Sequence, residues 1–398
     1  MRVLVVAPRM EIGGAEMHLS RVLPRLKRAD LDVSLFTIAR GGPLDAVLAR
    51  GGVPVLGIEE RGGRALASLR TVLALRGEIA RLKPDILHYF LPEPYLIGSA
   101  AAAGRNPIKI MSRRSLSVYQ GNHPMLAKLE RLLHRTVAAL IGNSSAVAAQ
   151  LITESGAPEK VGIIHNGIEP PPPVDTAARA AHRRAVGIPA DAFVIATIAN
   201  LIPYKGHSDL LAGLGAVRAR LTGSWRLMLI GRDEGIGARL KRQAGELGIA
   251  GNILWLGERA DAQDLIAAAD IGVLPSHQEG FSNSLIEKMA YGLPVVATRI
   301  GGNIDAVADG ATGRLVPVAD PAALGEAIAA LYEDAGLRAR MGAAARLRVE
   351  RLFSLEACVR RYLNLYRGLV QHKETPVAQL IDTPEMILAA VTPAEVVG

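Results

Sequence analysis

The chain has a single cysteine in its 398 residues, Cys358. That excludes an internal disulfide framework and a cysteine-based structural zinc site, and it points to a reducing compartment. Aromatic residues make up only 4%, too few for the stacking platforms on which single-stranded nucleic acid binds, so no nucleic-acid partner is expected. Long apolar runs are missing as well. The longest weakly charged stretch, 86–104, contains Pro92, Glu93, Pro94 and two glycines, and no transmembrane helix is expected from it. The amino terminus passes from Met1-Arg2-Val3-Leu4-Val5-Val6-Ala7-Pro8 into Arg9 and Glu11 without a small-residue cleavage site, which reads as a chain without a signal peptide that stays in the cytoplasm.

What is present is an ordinary globular composition, 49% apolar and 21% charged, on a chain long enough for two domains. Charge is spread unevenly. Residues 1–170 carry 22 Lys and Arg against 14 Asp and Glu, a net of +8, whereas residues 171–398 carry 24 of each. A basic half suggests an anionic partner: nucleic acid, a phosphorylated substrate or an acidic membrane surface, with a plain solvated surface as the alternative.

Short β-branched runs alternate with amphipathic stretches along the chain, the signature of parallel sheets built from βαβ units. The expected strands of a first domain, 1–168, lie at 2–7, 32–37, 53–56, 85–90, 109–112, 139–143 and 161–164. Pro170 to Pro173 cannot continue a helix or a central strand, so a linker is placed at 169–190, with a helix expected at 177–186. The second domain, 191–353, has expected strands at 193–199, 225–230, 252–256, 271–274, 295–298 and 313–316. A terminal helix at 354–370, with Tyr362 and Tyr366 one turn apart, and a mobile or loosely docked tail at 371–398 complete the chain. The fold class is therefore α/β, two Rossmann-like doubly wound sheets expected to face one another across a cleft.

Several loops at strand ends carry chemistry. Residues 276–298 read as loop, helix and strand, with Glu279 in a loop beside Gly280 and Glu287 about one turn into a helix starting near Ser282 or Asn283. Both carboxylates can reach one crevice at the carboxyl edge of the sheet, where open α/β sheets bind ligands; a solvated helix charge is the plainer alternative. Lys205, after the strand ending at Ala199, is placed to meet a phosphate as a compact cation. Gly13 and Gly14 precede a helix and would let a phosphate approach backbone N–H groups, although the pattern is not a dinucleotide fingerprint. Arg113 and Arg114, within Ser112-Arg113-Arg114-Ser115-Leu116-Ser117-Val118-Tyr119-Gln120, could hold an anionic or polyhydroxy ligand. The helix at 125–138 sets Lys128, Arg131, His134 and Arg135 beside Leu126, Leu129, Leu132 and Leu133. It reads either as a membrane-surface helix or as a core-facing helix with a solvated basic side.

These motifs together resemble the retaining glycosyltransferases of family 4, the group 1 glycosyltransferases with the two-domain GT-B fold, over about residues 1–370. The resemblance rests on Gly13-Gly14-Ala15-Glu16, His165-Asn166-Gly167-Ile168, Lys205-Gly206-His207, the pair Glu279 and Glu287 within Pro275 to Thr298, Gly301-Gly302, and Asp309-Gly310-Ala311-Thr312-Gly313. It implies a nucleotide-sugar donor, UDP- or GDP-linked, whose ribose is held by Glu287 and whose sugar hydroxyls meet Glu279. Lys205 would stabilise the departing diphosphate, with Gly14, Phe281, Ser282 and Asn283 approaching phosphate or sugar through their backbones. Two positions depart from the family pattern. Asn200 stands where an arginine is usual, leaving Arg232 as a candidate for the missing charge, and Arg113 and Arg114 stand where a histidine is usual. Gly13, Arg113 and Arg114 are thus acceptor-side candidates. The implied reaction moves a hexose-type sugar to a glycan or lipid-linked glycan acceptor in bacterial polysaccharide biosynthesis (capsule, exopolysaccharide or O-antigen), without cofactor or metal. Together with the basic first half it suggests peripheral association with the inner face of an anionic membrane. The rival reading is a non-catalytic binder of nucleotide-sugars or other anions with the same two-domain fold. A phosphorylase would need a pyridoxal-binding lysine context that is not found.

Overall fold

A computed structural model describes residues 1–59, 64–116, 120, 123–372 and 375–381. The chain divides into two compact units, the first built from Met1–Gly167 together with the helix that starts at Leu355, the second from Ile168–Ser354.

In the first unit seven strands form one parallel sheet: β1 (Arg2–Ala7), β2 (Asp32–Thr37), β3 (Val55–Gly57), β4 (Ile86–Phe90), β5 (Ile108–Arg113), β6 (Ala139–Gly142) and β7 (Val161–Ile163). Their order is β3-β2-β1-β4-β5-β6-β7. The strands are apolar on both faces because helices cover both. Val3, Val5 and Ala7 of β1 join a core with Leu19, Val22 and Leu23 of the helix Gly14–Arg28. Leu4 and Val6 point the other way, toward Leu75 and Ile79 of the helix Arg64–Leu82 and Tyr95 of the helix Pro92–Ala101. This is the period-two alternation of a strand with two buried faces.

The helix Leu355–Gln371 packs on the first unit. Its two tyrosines explain why. The Tyr366 hydroxyl lies 2.7 Å from Nδ1 of His88 in β4, and His88 Nε2 lies 2.7 Å from the Ser112 hydroxyl in β5. Of the mobile or loosely docked tail expected from 371, the start is docked. Val377 and Ile381 are buried against Gly162 of β7, where a side chain would collide with both, and the short helix Val377–Leu380 docks there. Residues 382–398 of that expected tail lie outside the described residues.

The second unit holds six parallel strands: β8 (Phe193–Ile198), β9 (Trp225–Ile230), β10 (Ile253–Gly257), β11 (Ile271–Leu274), β12 (Val295–Thr298) and β13 (Gly313–Val316). Their order is β10-β9-β8-β11-β12-β13. The helix Thr176–Ala185 is capped by the Asp175 side chain and fixed to this unit by Arg183, which donates to the Ala268 carbonyl and to the Asp270 carboxylate. In each sheet the order reverses once, between β1 and β4 and between β8 and β11. Loops leaving the strands at such a point diverge and open a crevice at the carboxyl edge.

Candidate functional site

In the second unit, the loops after β8 and β11 bring the two sequence-predicted catalytic residues together. Lys205 Nζ lies 2.6 Å from Glu279 Oε1, although 74 positions separate them. Gly206 makes this possible. Its φ is +70°, and a Cβ there would sit 1.9 Å from the Pro275 carbonyl oxygen, so the two loops touch where only glycine fits. The His277 amide closes the contact by donating to the Tyr204 carbonyl at 2.7 Å, and the His277 ring reaches Asp209 at 2.7 Å. The pair remains partly open, with side chains 19% and 11% exposed. A lysine with three donors held in this way can turn toward an incoming anion, while the carboxylate it releases can accept from hydroxyl groups.

The helix Asn283–Ala290 begins beside this pair with Ser282 at its N-cap position, where the Ser282 side chain makes no capping bond. Ser284 Oγ donates instead to the carbonyl of Ile198 at the end of β8, tying the helix start to the sheet. The positive end of the helix dipole is thereby aimed at the carboxyl edge, a favourable place for phosphate. Phe281, 7% exposed, is held by the Phe353 ring at 5.4 Å. Glu287, in the second turn, accepts from Gln263 Nε2 at 3.0 Å. Asn200 and Arg232 meet through a residue that the sequence does not single out: Glu234 accepts from Asn200 Nδ2 and from Arg232 Nη2, each at 2.9 Å. Arg232 is therefore adjacent to Asn200.

A second unforeseen residue underlies the site. Lys288 is fully buried, its Nζ donating to Ser284 Oγ at 2.6 Å and to the Ser284 carbonyl at 3.1 Å. Gly272 of β11 leaves room for it, since a Cβ there would lie 2.4 Å from Lys288 Cδ. Burial pushes its ammonium down to about 7, with Glu287 and Glu279 opposing and Lys205 reinforcing the shift. One buried point thus feels three of the predicted site residues. The only sequence sign is a lysine flanked by Leu285 and Met289 on an otherwise apolar helix face.

The first unit shows a different picture. Gly13 is the N-cap of the helix Gly14–Arg28 in extended conformation, and a Cβ on Gly14 would meet nothing within 4 Å, so space lies open at that helix start. At the neighbouring end of β4, Leu91 has φ +71° and ψ 164°, a region that glycine alone occupies without strain. Both features border the switch point between β1 and β4.

The two arginines expected on the acceptor side are not at an open surface. Arg113 is 0% exposed and donates to Glu130 and Glu154, each at 2.8 Å. Gln120 donates to Glu130, and the His134 ring reaches Glu154 at 3.3 Å. Burial raises the Glu154 carboxyl, but the hydrogen bond from His134 and the charge of Arg113 outweigh it and hold the group down to about 2. Arg114 donates to the Ile164 carbonyl at 2.8 Å and to the Tyr362 hydroxyl at 3.0 Å, and it also contacts His18. His18 stays neutral because burial and Arg114 push its pKa well below the usual value. The correction has a simple cause: Arg113 lies inside β5 with its side chain turned into the protein, where two helix carboxylates neutralise it. Nothing in local sequence reports those distant partners. Among the described residues, no group of three His, Cys, Asp or Glu side chains is arranged to hold a metal ion.

Comparison with known proteins follows the division into two units. A family model described as "Glycosyltransferase Family 4" matches residues 12–170, and one described as "Glycosyl transferases group 1" matches residues 178–348. A D-inositol 3-phosphate glycosyltransferase of Salinispora arenicola is 27% identical over 372 residues, 84% of this chain and 83% of that protein. Its Stackebrandtia nassauensis counterpart is 35% identical over 219 residues, 52% of this chain and 49% of the relative. Among solved structures, the Anabaena protein HepE in complex with UDP superposes with a TM-score of 0.83 at 21% identity, covering 93% of this chain and all of that one. A sucrose-phosphate synthase of Thermosynechococcus elongatus gives 0.77 at 22% identity, covering 93% and 99%. At those identities the two structures establish the fold.

Proposed function

For a chain that belongs to the family 4 (group 1) glycosyltransferases, we propose that it transfers a hexose-type sugar, with retention, from a UDP-sugar to a glycan or lipid-linked glycan acceptor in bacterial polysaccharide biosynthesis. It does so at the inner face of the membrane. The observation that carries the reading is the Lys205–Glu279 pair at the β8–β11 switch point, beside a helix start and 2.6 Å across. As the bond between the anomeric carbon and the diphosphate breaks, negative charge grows on the leaving oxygen. Lys205 supplies a positioned counter-charge there, which lowers the barrier because it is worth more in the transition state than in the ground state. Glu279, released from Lys205, accepts from sugar hydroxyls, and Glu287 accepts from the ribose. Arg232, near Asn200 through Glu234, adds charge at the diphosphate. Phe281, Ser282 and Asn283 border the sugar and phosphates through their backbones, and Gly13 and Gly14 lie at the first unit's own ligand edge. No metal takes part, so transfer survives chelation with EDTA.

UDP is favoured over GDP because HepE, which shares the fold, was crystallised with UDP and with UDP-glucose. A second acceptor, a phosphorylated polyol, is favoured by the names of the inositol-phosphate relatives. Thermal-shift measurement with UDP, GDP, ADP and their glucose conjugates tests the donor, since a ligand that binds the native state raises the apparent melting temperature. Stabilisation by UDP and UDP-glucose is expected. No shift with any of them, combined with no transfer from UDP-hexoses to polyprenyl-linked glycans or inositol phosphate, would sink the proposal in favour of a binder of other anions.

A further inference from the structure

The helix Pro124–His134 is turned opposite to what its composition suggests. Its inward positions are Ala127, Glu130 and His134, whereas Met125, Leu129 and Leu132 are 77%, 46% and 57% exposed. These three recur at i, i+4 and i+7, so they form one apolar stripe along the solvent side. Lys128, Arg131 and Arg135 stand exposed around it. The helix has one acidic residue, Glu130, which faces inward and is neutralised by Arg113. The outward face is therefore apolar and cationic without any carboxylate of its own.

The neighbouring surface continues the pattern. Tyr95 OH lies 3.3 Å from His134 Nδ1, joining the helix Pro92–Ala101 to this one, and Arg76 of the helix Arg64–Leu82 donates to the Ala101 and Ala103 carbonyls. On that third helix Leu69 and Leu73, one turn apart, are 58% and 59% exposed. All three helices cover the same face of the first sheet.

We infer that the outward face of Pro124–His134, extended by Leu69 and Leu73, is a docking surface for an anionic phospholipid bilayer. The occupant follows from the chemistry. An eleven-residue helix about 16 Å long with a narrow apolar stripe between cations lies in the headgroup boundary and inserts its apolar side chains by about 5–10 Å. A bilayer offers both hydrocarbon for the leucines and phosphate for the three cations, and the +8 excess of residues 1–170 adds long-range attraction. No described helix is long and apolar enough to cross a membrane, so this contact is interfacial. The Arg113–Glu130–Glu154 cluster acquires a positioning role: it anchors the helix by its polar side and leaves the leucines outward. The inference rests on the glycosyltransferase reading only for its purpose, which is to bring the enzyme to acceptors in the membrane plane.

Co-sedimentation with vesicles of phosphatidylglycerol and phosphatidylcholine, compared with phosphatidylcholine alone, tests it. Wild-type protein should bind the anionic vesicles, less as salt rises. L129Q/L132Q should weaken binding by at least about tenfold, and K128E/R131E should remove the preference for anionic lipid, while UDP-induced thermal shift stays unchanged in both. Binding that persists in L129Q/L132Q, or no wild-type binding at low salt, overturns the docking surface without touching the donor assignment. A wild-type dimer in analytical ultracentrifugation that L129Q/L132Q converts to monomer overturns it too, by assigning the stripe to a second copy of the chain. Loss of the UDP shift in wild type would instead count against the donor site and leave the membrane result standing.

Discussion

The two units share one architecture and use their charged residues at the sheet edge in opposite ways. In the first, Arg113 is buried and paired with both Glu130 and Glu154. In the second, Lys205 and Glu279 pair with one another in a crevice and stay partly open. A charge enclosed by partners stabilises a fold, and a charge held at an edge remains able to change partners. The difference teaches that position at the end of a strand does not make a cation a ligand group; its burial and the number of carboxylates around it do.

The comparison is open to being broken. Arg113→Ala should have the largest effect, roughly 3–5 kcal/mol of lost stability, because Glu130 and Glu154 would stay buried without the cation that neutralises them. Denaturant titration measures it, and an unchanged midpoint would place Arg113 back among candidate ligand groups. Lys205→Ala should do the converse: transfer falls by about 10²–10³-fold while stability changes by less than about 1 kcal/mol. A folded variant with near-normal turnover removes the phosphate role.

Acid and base should separate the units. Glu154 is held to about 2 in the native state, so the stability it contributes is present above its ordinary value of 4.5 and is lost as pH falls toward 2. Lys288 is shifted the other way. Between about 7 and 10.5 the unfolded chain carries a proton that native Lys288 does not, so stability of the second unit rises with pH through that window. Lys288→Met should therefore stabilise most at and below pH 7, an advantage that shrinks above it; thermal melts of both proteins at pH 6 and 9.5 decide this, and a constant difference refutes the shift. The smallest effect is expected at Leu91. Leu91→Gly relieves a strained backbone worth about 1–3 kcal/mol, partly offset by lost side-chain packing and greater freedom of the unfolded chain. A small net gain in stability, with slower transfer from a looser loop, would mark the strain as functional.

Much of this was legible in the residues. Each of the thirteen strands among the described residues lies within two residues of its expected place, because runs such as Val3 to Ala7 and Phe193 to Ala196 are apolar at every position and lie close to proline or charge. Lys205, Glu279 and Glu287 stand out as candidates through their strand-end loops and the family resemblance, and the fold brings Lys205 and Glu279 into contact. The helix at 124–134 reads from its residues as either core-facing or surface-lying, and only the fold decides: Glu130 turns inward because Arg113 awaits it, and Leu129 and Leu132 turn out. Glu234, His18, His88 and Lys288 carried no local signal strong enough to single them out.

The sequence by itself determined where the backbone would be strand or helix, since hydrophobic period and the conformations open to glycine and proline act within a few residues. It also determined which loops lie at strand ends and so which side chains could bind phosphate. Only the tertiary structure decided which of them do structural duty. Lys205 meets Glu279 across 74 positions, and Arg113 meets Glu154 across 41. The field at a charged group is set by whatever folding places within a few ångströms of it, and chain neighbours do not encode that.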